Sequence, residues 1–405
     1  MAGSSLEEER SAQLVLVNRN STVLGQLPIV HTKIPFWSEV ESIVQEVRRR
    51  HGIDVTIVRL LDVERGGFMR GGRVTYLAET DDPIIGTPWD GVLDEQPNRN
   101  HYAEVGGARA DIAWAEDVLR RRGLTRTGPA VQVRTWNLSS LWRIPAGSDQ
   151  VWLKAVPPFF AHEGRLIDAM APDSRIPSLL AYESSRMLMA EIPGEDLYQA
   201  TLSQRLKMIG LLVDIQRSWI DRVGELFNLR LPDGRDGALV AAIGSVFERR
   251  RDELPADVGG ELERLIEGLG QRMHAIRDCG LPDTLVHGDF HPGNLRGHGD
   301  EFVLLDWGDA FVGHPLLDHS AFLERAPEEW RPTLQAHWLQ QWQHAFPHSD
   351  PARAWTLLEP VAAARAAAVY QHFLDHIEPA ERRYHESDPI DWLHHAAKLA
   401  RQEQG

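Results

Sequence analysis

The sequence predicts an α+β chain in three parts: a small accessory α+β domain over residues 1–80, a linker over 81–107, and a bilobal domain. In the bilobal domain, residues 108–195 make a β-rich N-lobe and residues 196–405 a helical C-lobe with further helices at its end. Three observations predict this. With 405 residues the chain is too long for one ordinary core. Short apolar runs of strand length dominate up to Asp196, and long helix-period stretches dominate after it. Between module and domain, Pro83, Gly86, Pro88, Gly91, Pro97, Gly106 and Gly107 break up any regular pattern.

The elements follow in order. Leu14–Val17 is a strand candidate. Val40, Ile43, Val44 and Val47 fall at i, i+3, i+4 and i+7, one apolar stripe of a helix over 38–51. Ser38 is placed as its N-cap with Glu41 completing a capping box, Arg48, Arg49 and Arg50 suit the negative end of the helix, and Gly52 ends it. Strands over 55–61 and 73–78 follow, split by the turn-prone Arg65-Gly66-Gly67. A helix is expected over 108–122, strands over 131–144, 150–156 and 179–191, and a helix near 160–170. Beyond Asp196 helices are expected over 201–226, 236–252, 258–278, 333–346 and 352–376, interrupted by a short β patch over 284–306.

Composition bounds the function. The net charge of -16 repels nucleic-acid phosphates and anionic membranes, so neither is an expected partner, whereas a cationic small molecule is drawn in. The single cysteine, Cys279, allows no intrachain disulfide and no cysteine-type zinc site. The alanine-rich stretch over 361–369 is interrupted by Arg365, and no run reaches the ~18 apolar residues of a membrane span. Together with a polar start that lacks an apolar signal core, this leads us to expect a cytoplasmic protein.

The chemistry concentrates in His287-Gly288-Asp289-Phe290-His291-Pro292-Gly293-Asn294 and in Leu304-Leu305-Asp306-Trp307-Gly308-Asp309. Asp289 and Asn294 lie five positions apart on a loop tightened by Gly288, Pro292 and Gly293. Gly297–Asp300 reads as the turn of a hairpin that folds Asp306 back beside Asn294. Phosphoryl transfer needs a carboxylate near the attacking hydroxyl, which Asp289 can supply, and oxygen ligands for Mg2+, which Asn294 and Asp306 can supply. The alternative is a metal-dependent hydrolase with His287, Asp289 and His291 as ligands at strand spacing, which leaves the second motif unexplained.

These two motifs together resemble the aminoglycoside phosphotransferase and choline kinase group, relatives of protein kinases. The resemblance implies a protein-kinase-like fold, with ATP (or GTP) and Mg2+ bound between the lobes and a small-molecule hydroxyl as acceptor. Asp289 would orient or deprotonate the hydroxyl, Asn294 and Asp306 would hold the metal, His287 would brace the loop, and Asp309 would support metal or acceptor. Upstream, Lys154 on the strand Val151–Val156 matches the lysine that grips the nucleotide phosphates, with Glu163 as its partner. Thr135–Trp142 stands where the family has its phosphate-covering loop; it has no glycine, so Ser139 and Ser140 are the candidates there. Met187–Gly194 resembles the hinge, with backbone groups of Ala190 and Ile192 facing adenine. A catalytically silent nucleotide sensor of the same fold is the second reading.

Asp318 reads as a helix cap or loop brace. Tyr370, His372, Asp375, Glu378, Arg382, Arg383, Tyr384 and His385 read mostly as ordinary solvent-facing polar residues, some of them able to line an acceptor pocket. Residues 13–79 resemble a Nudix module in which Arg49 and Arg50 stand where metal-binding glutamates are expected, leaving Glu46. The resemblance implies lost pyrophosphatase chemistry.

Overall fold

The structure, a computed structural model, describes residues 9–64, 69–84 and 86–403. The expected turn at Arg65-Gly66-Gly67 lies outside the described residues. The chain forms two compact units: residues 1–164, 179–191 and 374–386 make the first, and residues 165–178, 192–373 and 387–405 the second.

The first unit holds two sheets. One is built from β1 (Arg10–Val17), β2 (Val23–Gln26), β3 (Val30–Thr32), β4 (Thr56–Glu64) and β5 (Gly72–Glu79). Its order is β2-β1-β5-β4 with β3 also on β1, and β1 runs parallel to β5. β1 is buried along nearly its whole length, the pattern of a strand covered on both faces. One face packs with Val40, Ile43 and Val47 at helix α1 (Glu41–His51); on the other, Trp89, Leu93 and Val105 of the expected linker pack on Val15, Val17, Val58 and Leu77. The segment 81–107 therefore carries little regular structure yet lies along the sheet as a cover.

Helix α1 corrects the expected start. It begins at Glu41, and Val40 precedes it without any side-chain cap. Residues 38–40 are taken by a neighbouring strand instead: Ser38 O accepts from Thr135 N, and Val40 N donates to Val133 O. Glu41 turns outward to Arg143 at 3.0 Å. The other end is as expected: Gly52 is left-handed at φ 70 and donates to Arg48 O.

The second sheet of this unit runs β6 (Val131–Trp136), β7 (Ser139–Ala146), β8 (Asp149–Ala155), β10 (Arg186–Ala190), β9 (Leu179–Glu183), all antiparallel. Helix α2 (Gly107–Arg121) covers it through Ala108, Ala115, Val118 and Leu119, and α3 (Glu163–Met170) follows β8. Gln132 fastens this sheet to the first, its amide bonding both Ile57 N and Ile57 O.

The segment 374–386 belongs to this unit, which corrects its reading as surface. Tyr384 is 1% exposed within the core of the first sheet, edge-on to Trp37 and Trp136. Glu381 accepts from Leu60 N at 2.9 Å, and Glu378 meets Arg99 at 3.0 Å. Burial raises the Glu381 carboxyl to about 8. The apolar ring and neutral acid explain why a polar-looking stretch is inside; Arg382 and Arg383 stay exposed.

The second unit is mainly helical: α4 (Leu202–Ser218), α5 (Val223–Asn228), α6 (Asp236–Arg250), α7 (Ala256–Glu267), α8 (Leu269–Asp278), α9 (His319–Glu324), α10 (Arg331–Ala345), α11 (Pro351–His376) and α12 (Asp388–Gln402). The single helix expected over 258–278 is two helices parted at Gly268. Among these helices run β11 (Glu195–Asp196), β12 (Thr284–Val286), β13 (Leu295–His298), β14 (Glu301–Leu304) and β15 (Phe311–Gly313). β11, β13 and β14 form one small sheet, and β12 pairs with β15. Among the described residues no helix is long and apolar enough to cross a membrane.

Candidate active site

The loop after β12 and the loop after β14 are held as one piece. The hairpin expected over 295–305 is present, with Leu295 opposite Leu304 and a left-handed Gly299 in its turn. Leu305 N donates to Asn294 O at 2.8 Å, which sets Asp306 one residue from Asn294's backbone partner. Asp306 is left-handed, at φ 63 and ψ 61. A non-glycine residue there costs of order 1–3 kcal/mol, a strain that persists only where the surroundings impose it. Trp307, fully buried, supplies part of that imposition by donating its indole N–H to Leu304 O.

Asn294 is aimed by Asp289. Its Nδ2 donates to Asp289 O at 2.9 Å and to Asp289 Oδ2 at 3.1 Å. A carboxylate only accepts, so the amide nitrogen must face Asp289, and Oδ1 turns away. Among the described residues that oxygen accepts no hydrogen bond, which fits a ligand for a hard cation.

Asp289 itself meets His291 Nε2 at 3.3 Å. Burial works to raise its carboxyl, but the hydrogen bond and charge interaction with His291, then Arg325, outweigh it and hold the group below its ordinary value. His291 Nδ1 accepts from Gly293 N, which orients the ring. His287 Nδ1 accepts from Asp289 N, so Nε2 carries the proton and donates to Leu305 O at 2.8 Å. His287 thus ties the two loops together. Burial pushes it down to about 4, so it stays neutral. All four ring nitrogens serve the loop, which leaves the metal-hydrolase reading without its histidine ligands. Among the described residues no cluster of three or more His, Cys, Asp or Glu is set to hold a metal.

Asp318 is a brace. Its two oxygens accept from His287 N at 2.9 Å, Gly288 N at 2.7 Å and Gln216 Nε2 at 3.0 Å, and it makes no side-chain cap on α9. Gln216, in the last turn of α4, is a partner the sequence reading missed; nothing in a helix-period pattern marks it. Gly288 is left-handed at φ 88 and backs onto the Asp309 carbonyl, which fixes Asp309 beside the loop.

In the first unit, Lys154 lies on β8 and its Nζ is 2.7 Å from Glu163 Oε1; the two side chains are 12% and 1% exposed. Ser139 and Ser140 correct an expectation. They sit inside β7, buried, and their hydroxyls accept from the indoles of Trp136 and Trp142 at 3.0 and 3.1 Å. The β6–β7 turn is closed as well, since Asn137 O accepts from Asn100 Nδ2 and Tyr102 OH. Two tryptophans flanking the serines and needing acceptors were the signal in the sequence. Ala190 ends β10 opposite Val151, and the boundary of the two units falls after Glu191. Ile192 O accepts from Arg296 Nε at 2.8 Å. Glu46 is tied by Arg49 and Arg50 on its own turn, which holds its carboxyl down at about 2.

Comparison with known proteins bears on the family and the fold. The phosphotransferase enzyme family matches residues 127–355, more than half of the chain. The matched span begins after residues 13–79, so the likeness of that module to Nudix proteins is not part of it. No curated protein matches the chain in sequence. Among solved structures, a macrolide 2′-phosphotransferase from Brachybacterium faecium is 16% identical, covering 69% of this chain and 97% of its own, with a TM-score of 0.51. A choline kinase from Streptococcus pneumoniae is 12% identical, covering 73% of this chain and 99% of its own, also at 0.51. Both likenesses are of fold. A family match that contains Lys154, the Asp289–Asn294 loop and Asp306 places the chain by its own sequence: it belongs to the phosphotransferase enzyme family.

Proposed function

We propose that the protein transfers the γ-phosphate of ATP to a hydroxyl of a small molecule, with Asp289 as the group that receives the hydroxyl proton. The observation that carries this is the aiming of Asn294: one amide end is pinned by Asp289, and the oxygen end is left for a cation at the same end of the hairpin as Asp306. Asn294 and Asp306 would hold Mg2+. When bound, the ion neutralises charge on the phosphate oxygens. Lys154, kept in place by Glu163, would hold the nucleotide phosphates.

Asp289, held ionised by its surroundings, accepts the acceptor's O–H proton as the acceptor oxygen bonds to γ-phosphorus. The bond from γ-phosphorus to the bridging oxygen breaks, and ADP leaves with that oxygen. The histidines shape the loop through their hydrogen bonds. Asp309, beside Gly288, would support the metal or the acceptor. Ser139 and Ser140 accept from tryptophan indoles and keep their own O–H groups as donors.

The test is nucleotide consumption across a panel of hydroxylated compounds, with the wild type and Asp289→Asn. The variant should keep nucleotide binding and lose about 10²–10⁴ in kcat. An unchanged rate rejects Asp289 as the proton acceptor, and nucleotide binding without turnover of any acceptor would favour a silent sensor.

A further inference from the structure

Helix α11 passes through an apolar stretch in which Val361, Ala362, Ala363, Ala364 and Ala367 are buried and one residue, Arg365, is charged. Arg365 is itself half-buried, so its guanidinium keeps some contact with solvent, and the nearby Asp309 and Asp318 carboxyls favour its charge. Its guanidinium lies over Phe311, 3.7 Å from the ring centroid. That platform is rigid: Phe311 is 2% exposed, and its ring occupies the space a Cβ would need at Gly234 and at Gly313. Among the described residues Arg365 makes no hydrogen bond and no ion pair.

The position is beside the reacting loop. Phe311 pairs with Val286, the residue before His287-Gly288-Asp289. Arg365 lies within reach of the charges of Asp309 and Asp318. Tyr370, further along α11, lies within reach of Asp388, Asp289 and Asp309. A guanidinium laid on a ring has its N–H groups at the edge, arranged as a fork that two oxygens of one carboxylate match. A cationic acceptor would gain nothing from such a group and would be repelled by it. Arg365 lies beyond the family match, which ends at residue 355.

We propose that Arg365 binds the acceptor, and that the acceptor is a hydroxylated carboxylic acid whose carboxylate takes the guanidinium fork while its hydroxyl faces Asp289. This rests on the phosphotransfer reading above and replaces the cationic acceptor suggested by net charge.

The experiment compares matched pairs as acceptors: glycerate against glycerol and serine against serinamide, with choline and kanamycin as cations. Nucleotide consumption is followed with the wild type, Arg365→Gln and Arg365→Lys, and melting temperatures confirm folding. The hydroxy acids should raise turnover over background hydrolysis, with kcat/KM at least ~10-fold above their neutral partners. Arg365→Gln should erase that preference while KM for ATP moves less than about twofold, and Arg365→Lys should keep part of it. Hydroxy acids that leave Asp289-dependent background hydrolysis unchanged overturn the proposal. So does a preference for choline or kanamycin that Arg365→Gln leaves intact. A rise in KM for ATP alone would overturn it too, by giving the fork to the nucleotide. If Asp289→Asn hydrolyses nucleotide as fast as wild type and no acceptor is used, the phosphotransfer reading itself has failed.

Discussion

His287 shows how much one side chain can fix. Each ring nitrogen holds a different backbone group, from Asp289 and Leu305, and both bonds require the neutral imidazole. Burial lowers its proton affinity, moving the group to about 4 from an ordinary 6.5. Between these values the unfolded chain binds the proton and the folded chain does not. The histidine's contribution is therefore complete above pH 6.5 and lost as pH falls toward 4. Melting curves of wild type and His287→Asn over that range should show the stability gap narrowing as pH falls; a gap constant with pH would mean that the ring is not held neutral. The motif itself was legible because Gly, Pro and Asn punctuate it. Asp318 was half legible: the sequence offered cap or brace, and only the backbone of His287 and Gly288 decides for brace.

At the scale of elements, turns and starts depend on what lies next to them. Gly288 and Gly293 look alike in the motif and differ in the fold. A Cβ at Gly288 would strike the Asp309 backbone carbonyl, and φ is 88; at Gly293 it would meet the ring of Tyr198, which is 55% exposed and can swing aside. Gly288→Ala should therefore abolish turnover and cost roughly 1–3 kcal/mol in melting experiments, whereas Gly293→Ala should lose less than ~1 kcal/mol. Equal losses would deny the distinction. Helix α1 gives the converse lesson. The capping-box pattern at Ser38 and Glu41 was sound locally, yet pairing of residues 38–40 with β6 won, and no sequence window contains both partners. Ser38→Ala should accordingly cost under ~0.5 kcal/mol by chemical denaturation, less than the ~1 kcal/mol of a true N-cap.

For the whole molecule, the boundary between accessory module and catalytic domain was the least legible feature. Periodicity separates elements well, but it does not reveal that 374–386 returns to the first sheet, because Glu378, Glu381, Tyr384 and His385 look polar until Arg59, Arg99 and Leu60 are seen beside them. Tyr384 fills the core with Trp37 and Trp136. Tyr384→Ala should cost about 3–5 kcal/mol, read as loss of the first unit's unfolding midpoint in urea; a loss below ~1 kcal/mol would show the segment to be dispensable.

This late return also constrains synthesis. The first sheet's core includes the ring of Tyr384, about 300 residues after β5, so β1 and β5 cannot finish packing until that much more chain has been made. At about 5–20 residues per second, β1 and β5 wait on the order of 15–75 s with an apolar face incompletely covered, and in that interval a nascent chain of this protein is a ready client for chaperones.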